Sequence, residues 1–109
     1  MIKHVVMFRM KENLDAATRL EAMTRFKESI ECLPSVIPCI RRVFVGFNVN
    51  PNEKWDICLE SVFDNLEDVS TYSQHPSHRA AAQALMQHVA ERSCVDFVCP
   101  DAGPCPHEA

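Results

Sequence analysis

Glycine is nearly absent from this 109-residue chain, where only Gly46 and Gly103 occur. That scarcity excludes a phosphate-cradling glycine loop and a G-x-S-x-G nucleophile elbow, both of which need glycines at set intervals. C-x-x-C spacing is also missing, although there are six cysteines: Cys32, Cys39, Cys58, Cys94, Cys99 and Cys105. Without it they suggest neither a zinc ribbon nor a redox pair. No long apolar run occurs. The opening "MIKHVVMFRM" is broken by His4 and Arg9 and precedes no small-residue cleavage site, so neither a signal peptide nor a membrane span is expected. Basic clusters are missing too. Eleven scattered Lys and Arg stand against fifteen Asp and Glu, and a net charge of −4 offers no stripe to nucleic acid or an anionic membrane. The expectation is a cytoplasmic protein with reduced, free thiols.

What remains is an ordinary globular composition, 47% hydrophobic and 24% charged, of a length that suits one domain. "IKHVVMFRM" alternates as a strand, with His4, Val6, Phe8 and Met10 on one face and Lys3, Val5, Met7 and Arg9 on the other. Asn13 or Asp15 then offers a helix cap, and Leu20, Met23, Phe26, Ile30 and Leu33 predict an amphipathic helix over about 15–33. Pro34 and Pro38 end it. "IRRVFVGFNV" and "WDICLESVF" read as a hairpin around the polar "NVNPNEK". A short helix follows from Asp64 or Asn65, presenting Leu66, Val69 and either Tyr72 or Ser73. Pro76 holds His75 out of helical geometry and suits the first turn of a further helix, expected to run to about Arg92 along His78, Ala82, Leu85 and Val89. "SCVDFVC" is a last strand, in which Cys94 and Cys99 are expected, like Cys58 in its own strand, to act as small buried hydrophobes.

The order β-α-β-β-α-β, with its second helix split, predicts a ferredoxin-like α+β fold: a four-stranded antiparallel sheet with helices on one face. Residues 1–99 would form this domain. "PDAGPCPHEA", at 100–109, has three prolines and reads as a tail, and its Cys105 and His107 do not combine with Cys99 at any usual zinc spacing. Several strands are apolar on both faces, as with Val6 and Phe8 against Val5 and Met7. Helices cover one face only, so a second copy packed sheet to sheet is expected, giving a homodimer.

The segments "MIKHVVMF", "WDICLESVFDNLEDVSTY", "HPSHRAA" and "VDFV", in that order, resemble the stress-responsive A/B barrel (Dabb) family over about residues 1–99. The resemblance implies a dimeric α+β barrel. A plant member of the family closes a linear polyketide thioester by intramolecular aldol condensation without metal or organic cofactor. By motif, its active-site tyrosine and histidine fall on Tyr72 and His78, and a further pocket histidine falls on His4. A second strand histidine of that enzyme would fall near Asp56, where this chain departs.

The residues support two readings at each position. His78, beside the small Ala81 and Ala82, suits a general base near pH 7 or a core histidine bonded to backbone. Tyr72 suits an oxyanion donor or a half-buried core aromatic. His4 faces either the helices, near His78, or a partner chain. His75 suits a helix cap or a ligand contact, and Asp56 is a carboxylate that would orient an imidazole in the same pocket. No dense carboxylate cluster points to a divalent ion, so neither metal nor cofactor is expected. The resulting expectation is a homodimer whose pocket, with His4, Asp56 and His75 at the ligand, takes a small, largely apolar carbonyl compound. The alternative is a cofactor-free lyase, cyclase or oxygenase using His78 as base and Tyr72 as oxyanion donor.

Overall fold

A computed structural model describes residues 1–100. Its elements are β1 (Ile2–Met10), α1 (Ala16–Glu31), a 3-10 turn (Leu33–Ser35), β2 (Arg42–Phe47), β3 (Ile57–Phe63), α2 (Leu66–Gln74), α3 (Pro76–Met86) and β4 (Val89–Val98). The strands form one four-stranded sheet in the order β2-β3-β1-β4, with every neighbouring pair antiparallel. This is the ferredoxin-like arrangement. Cys105, His107 and almost all of the expected tail lie outside the described residues.

Local chemistry places each boundary. The Asp15 carboxylate accepts from the Thr18 N–H at 2.7 Å and starts α1. Asn65 does the same for α2 through the Asp68 N–H at 2.9 Å. His75 ends α2 in extended geometry, as a residue before proline must, and its Nδ1 accepts from the Ser77 N–H at 3.1 Å to cap α3. Pro76 occupies the first turn of α3, where its missing N–H costs nothing.

The core lies between the helices and one face of the sheet. Val6, Phe8 and Met10 of β1, Val45 of β2 and Ile57, Leu59 and Phe63 of β3 meet Met23, Phe26 and Ile30 of α1, Val69 and Tyr72 of α2 and Ala81 and Leu85 of α3. Leu20 departs from its expected stripe and is 63% exposed. Each three-residue step from Leu20 to Met23 to Phe26 falls about 60° short of a full turn, so Leu20 stands roughly 120° around the helix from Phe26. Leu66 is exposed as well, and of the two alternatives in α2 it is Tyr72 that turns inward.

The last helix is shorter than its spacing suggests. It ends at Met86, and Val89 already pairs with Met10 in β4. "VAER" carries no helix breaker, but pairing with β1 satisfies its backbone and sets Arg9 opposite Glu91 with a 2.7 Å ion pair. Strands β2 and β3 are also trimmed relative to the sequence pattern, because Asn48 and Asn50 turn the connecting loop with side-chain to backbone bonds.

The opposite sheet face carries Val5, Met7, Phe44, Val95 and Phe97, with Phe44, Val95 and Phe97 57%, 54% and 44% exposed. The five cysteines among the described residues are free. Only Cys99 is buried; Cys58 is half-buried and Cys94 exposed, because β4 is an edge strand that the helices do not cover.

Candidate functional site

β1 directs His4 toward the helices, on the face of Val6 and Phe8, and leaves it 5% exposed. The break at His75-Pro76 brings Tyr72, near the end of α2, against His78, in the first turn of α3. Their ring centroids lie 4.3 Å apart, and His4 stands 6.0 Å from the tyrosine ring on its other side. Phe63 packs on the same tyrosine at 5.1 Å. The three sequence-singled rings therefore form one cluster.

Two atoms of this cluster are conspicuous by their surroundings. Tyr72 is fully buried, and its Oη has no hydrogen-bond partner among the described residues; neither has the buried Nδ1 of His78. Burial pushes the phenol of Tyr72 well above its ordinary range, so it stays an O–H. Burial also lowers the pKa of His78 below its ordinary 6.5, against the opposing effect of the Ser73 backbone carbonyl, and favours neutral imidazole.

A cavity of about 210 Å³ opens beside the cluster. Its walls are Val6, Phe8, Phe26, Leu59, Ala82 and Met86, with His4, His78, Ser73 and Arg92 supplying polar groups. Tyr72 sits one layer behind this wall, touching both histidine rings. A second groove of about 250 Å³ runs between α1 and α3 past Glu21, Arg25 and His88, but Arg25 is already paired with Glu21 at 3.1 Å.

A carboxylate does meet the cluster, and it is Asp96 rather than Asp56. Asp96 lies opposite His4 in the β1–β4 ladder and its Oδ1 is 2.5 Å from His4 Nδ1. Asp56 precedes β3, five residues before the Ser61 that pairs with His4 and so roughly 16 Å along the strand. There it accepts from the Met10 N–H at 2.7 Å and from Arg19 at 3.1 Å, fastening α1 to the end of the sheet. His75 caps α3 and does not line the cavity. Sequence reasoning passed over Asp96 because its contact with His4 spans 92 residues. The only trace was that Cys94 and Asp96 alternate on one face of a strand whose neighbour was unknown.

The arrangement defines a class: a ferredoxin-like α+β sandwich with a buried tyrosine–histidine cluster at an apolar cavity. Residues 2–99 match the model of the Stress responsive A/B Barrel Domain (Dabb) family, and the chain belongs to that family. It is similar to a dimeric protein of unknown function with a ferredoxin-like fold from Bacteroides fragilis, at 45% identity over 88% of this chain and 93% of that one, with a TM-score of 0.86. A dimeric ferredoxin-like protein of unknown function from Thermobifida fusca shares 24% identity, covers 88% of each chain and superposes with a TM-score of 0.73. A hydroxynitrile lyase from Passiflora edulis has the same fold at 15% identity, over 94% of this chain and 96% of that one, with a TM-score of 0.70. No curated protein matches. Among the described residues, no helix is long and apolar enough to cross a membrane.

Proposed function

We propose that the protein is a homodimer in which each chain holds a small, largely apolar carbonyl compound in the cavity beside His4, Tyr72 and His78. The observation that carries this reading is that two buried, unpartnered atoms, Tyr72 Oη and His78 Nδ1, belong to rings that pack against each other with centroids 4.3 Å apart. A buried polar group without a partner costs about 1–3 kcal/mol, so two such groups in one ring cluster favour a bound polar atom at the histidines that line the cavity, with Tyr72 packed behind them. The apolar walls select the rest of the molecule. A volume of about 210 Å³ is below the ~300–1,000 Å³ of drug-sized sites and limits the ligand to a small one. Exposed Arg92 at the rim suits a compound whose far end is polar or acidic.

The dimer rests on the exposed Phe44, Val95 and Phe97 of the helix-free sheet face and on the dimeric description of the Bacteroides fragilis and Thermobifida fusca proteins. A Val95→Asp variant checks it. Light scattering at micromolar concentration should give a dimer for the wild type and a monomer for the variant; a monomeric wild type refutes this part.

A catalytic use of the same pocket is favoured by the neutral state of His78. In that use His78 takes a proton from the carbon next to the carbonyl, the C–H electron pair moves into the carbonyl group, and an O–H or N–H of the cluster steadies the developing oxyanion. Asp96 holds the His4 ring from behind its Nδ1.

A thermal-shift screen of carbonyl compounds and polyketide-like acids on wild type and His78→Gln tests the pocket. A ligand at one hundred times its dissociation constant adds about 2.7 kcal/mol, readily seen in a domain of this size. The expected result is a hit that disappears in the variant. A hit undiminished in His78→Gln places binding elsewhere. At saturating substrate, kcat for such a hit should fall on the order of a hundredfold in His78→Gln if the imidazole is the base, and stay near the wild-type value if the imidazole only binds.

A further inference from the structure

The uncovered edge of the sheet gathers a second set of chemistry-bearing side chains. Cys94 and Asp96, two residues apart in β4, project from the same face. In the ladder Asp96 stands opposite His4, and Cys94 opposite Val6. Both are exposed, since the helices do not reach across β4. His4 Nδ1 lies 2.5 Å from Asp96 Oδ1 and 3.7 Å from Cys94 Sγ, and one ligand atom from each residue falls within 4.8 Å of the others.

We propose that His4, Cys94 and Asp96 form a binding site for a zinc-class divalent cation. An imidazole nitrogen, a thiolate sulfur and a carboxylate oxygen make the mixed donor set such a borderline-soft ion takes, and the two anionic donors neutralise its charge. With metal–ligand bonds of about 2.0–2.3 Å, tetrahedral neighbours stand roughly 3.3–3.6 Å apart. The His4–Cys94 separation is already close to this. The His4–Asp96 separation must widen by about 0.8 Å, a change within reach of the Asp96 side chain. That side chain, 31% exposed, can swing toward solvent once the ion takes the place of its direct bond to His4.

On binding, the Cys94 thiol releases its proton to solvent. His4 gives up the Nδ1 proton that its contact with Asp96 holds, takes one on Nε2 from solvent, and ligates through the freed Nδ1 lone pair; no group is oxidised or reduced. Three protein donors leave one tetrahedral position open to water or to a small ligand. Arg92, two residues before Cys94 on the same strand face, opposes a cation, but it is exposed and its charge is screened by water.

The site shares His4 with the cavity yet does not depend on the cavity's occupant. Cobalt(II) titration of the full chain tests it, read by the near-ultraviolet charge-transfer band that arises only when a thiolate binds the ion. The wild type should saturate at one cobalt per chain with that band, and zinc should displace it. Asp96→Asn should keep the band and weaken affinity about ten- to a hundredfold; Cys94→Ser should lose the band and weaken affinity by at least about a hundredfold. His78→Gln should bind cobalt as the wild type does while losing the cavity ligand, which separates failure of this site from failure of the pocket reading. Absence of the band in the wild type overturns the proposal. So does a band that survives in Cys94→Ser, because the thiolate is then another cysteine.

Discussion

Replacing Tyr72 by phenylalanine removes one oxygen from the centre of the cluster and little else. The ring contacts with His78 at 4.3 Å, Phe63 at 5.1 Å and His4 at 6.0 Å do not need the hydroxyl. The hydroxyl itself is buried, protonated and unpartnered among the described residues. A buried donor in that state costs about 1–3 kcal/mol, whereas a satisfied one contributes about 0.5–1.5 kcal/mol, so the sign of the effect distinguishes the two cases. Ligand-free Tyr72→Phe should therefore be more stable than the wild type by about 1 kcal/mol or more. In a domain of this size that raises Tm by about 4–8 °C. Circular dichroism melts at one fixed protein concentration measure it, since association would otherwise shift both curves. The ligand-induced rise in Tm should shrink in the same variant. A lower Tm in ligand-free Tyr72→Phe refutes the reasoning: the hydroxyl then has a structural partner, and the case for a ligand at the cluster loses its basis.

Two further outcomes follow from the same geometry. Burial holds the pKa of His78 below 6.5, so as pH falls through about 6.5 the unfolded chain takes up a proton that the folded chain still refuses. The stability of the wild type relative to His78→Gln should decline from about pH 6.5 down to the folded-state pKa and level off below it, as read from urea midpoints; a difference that is flat or grows at low pH refutes the burial of this imidazole. Asp56→Ala strips acceptors from the Met10 N–H and from Arg19, and should cost about 1–3 kcal/mol in denaturant unfolding while leaving the affinity of a cavity ligand unchanged. A loss of ligand affinity in a variant that remains folded would return Asp56 to the pocket.

Much of the fold was legible because its signals are local. Alternation along "IKHVVMFRM" assigned His4 to one face of β1, and Pro76 marked the turn that brings Tyr72 and His78 together. The boundaries that went astray are those set by a partner strand. Nothing in "VAER" forbids a helix; it becomes strand because β1 offers Met10 and Arg9 as neighbours. The exposure of Cys94 and the role of Asp96 were hidden for the same reason: only strand order shows which strand forms the edge and which residue stands beside His4. Asp56 had the right chemistry for orienting an imidazole, but it lies at the wrong end of the ladder.

The cluster is also a costly thing for so small a core to hold. Domains of this size are stable by about 5–15 kcal/mol, and two unpartnered polar atoms cost about 2–6 kcal/mol of that. Of the three buried side-chain nitrogen or oxygen atoms without a partner among the described residues, two are Tyr72 Oη and His78 Nδ1, on rings whose centroids lie 4.3 Å apart. Packing alone gives no reason for this. Phenylalanine at 72 and leucine at 78 would suit the apolar walls of Val6, Phe8 and Leu59 without the penalty. Asp96 sharpens the point, since it orients His4 from the edge strand and adds nothing to the hydrophobic core. A chain that retains polar groups where apolar ones would be more stable meets a demand that packing does not set, and that demand is the argument for the ligand proposed at the His4 and His78 wall of the cavity.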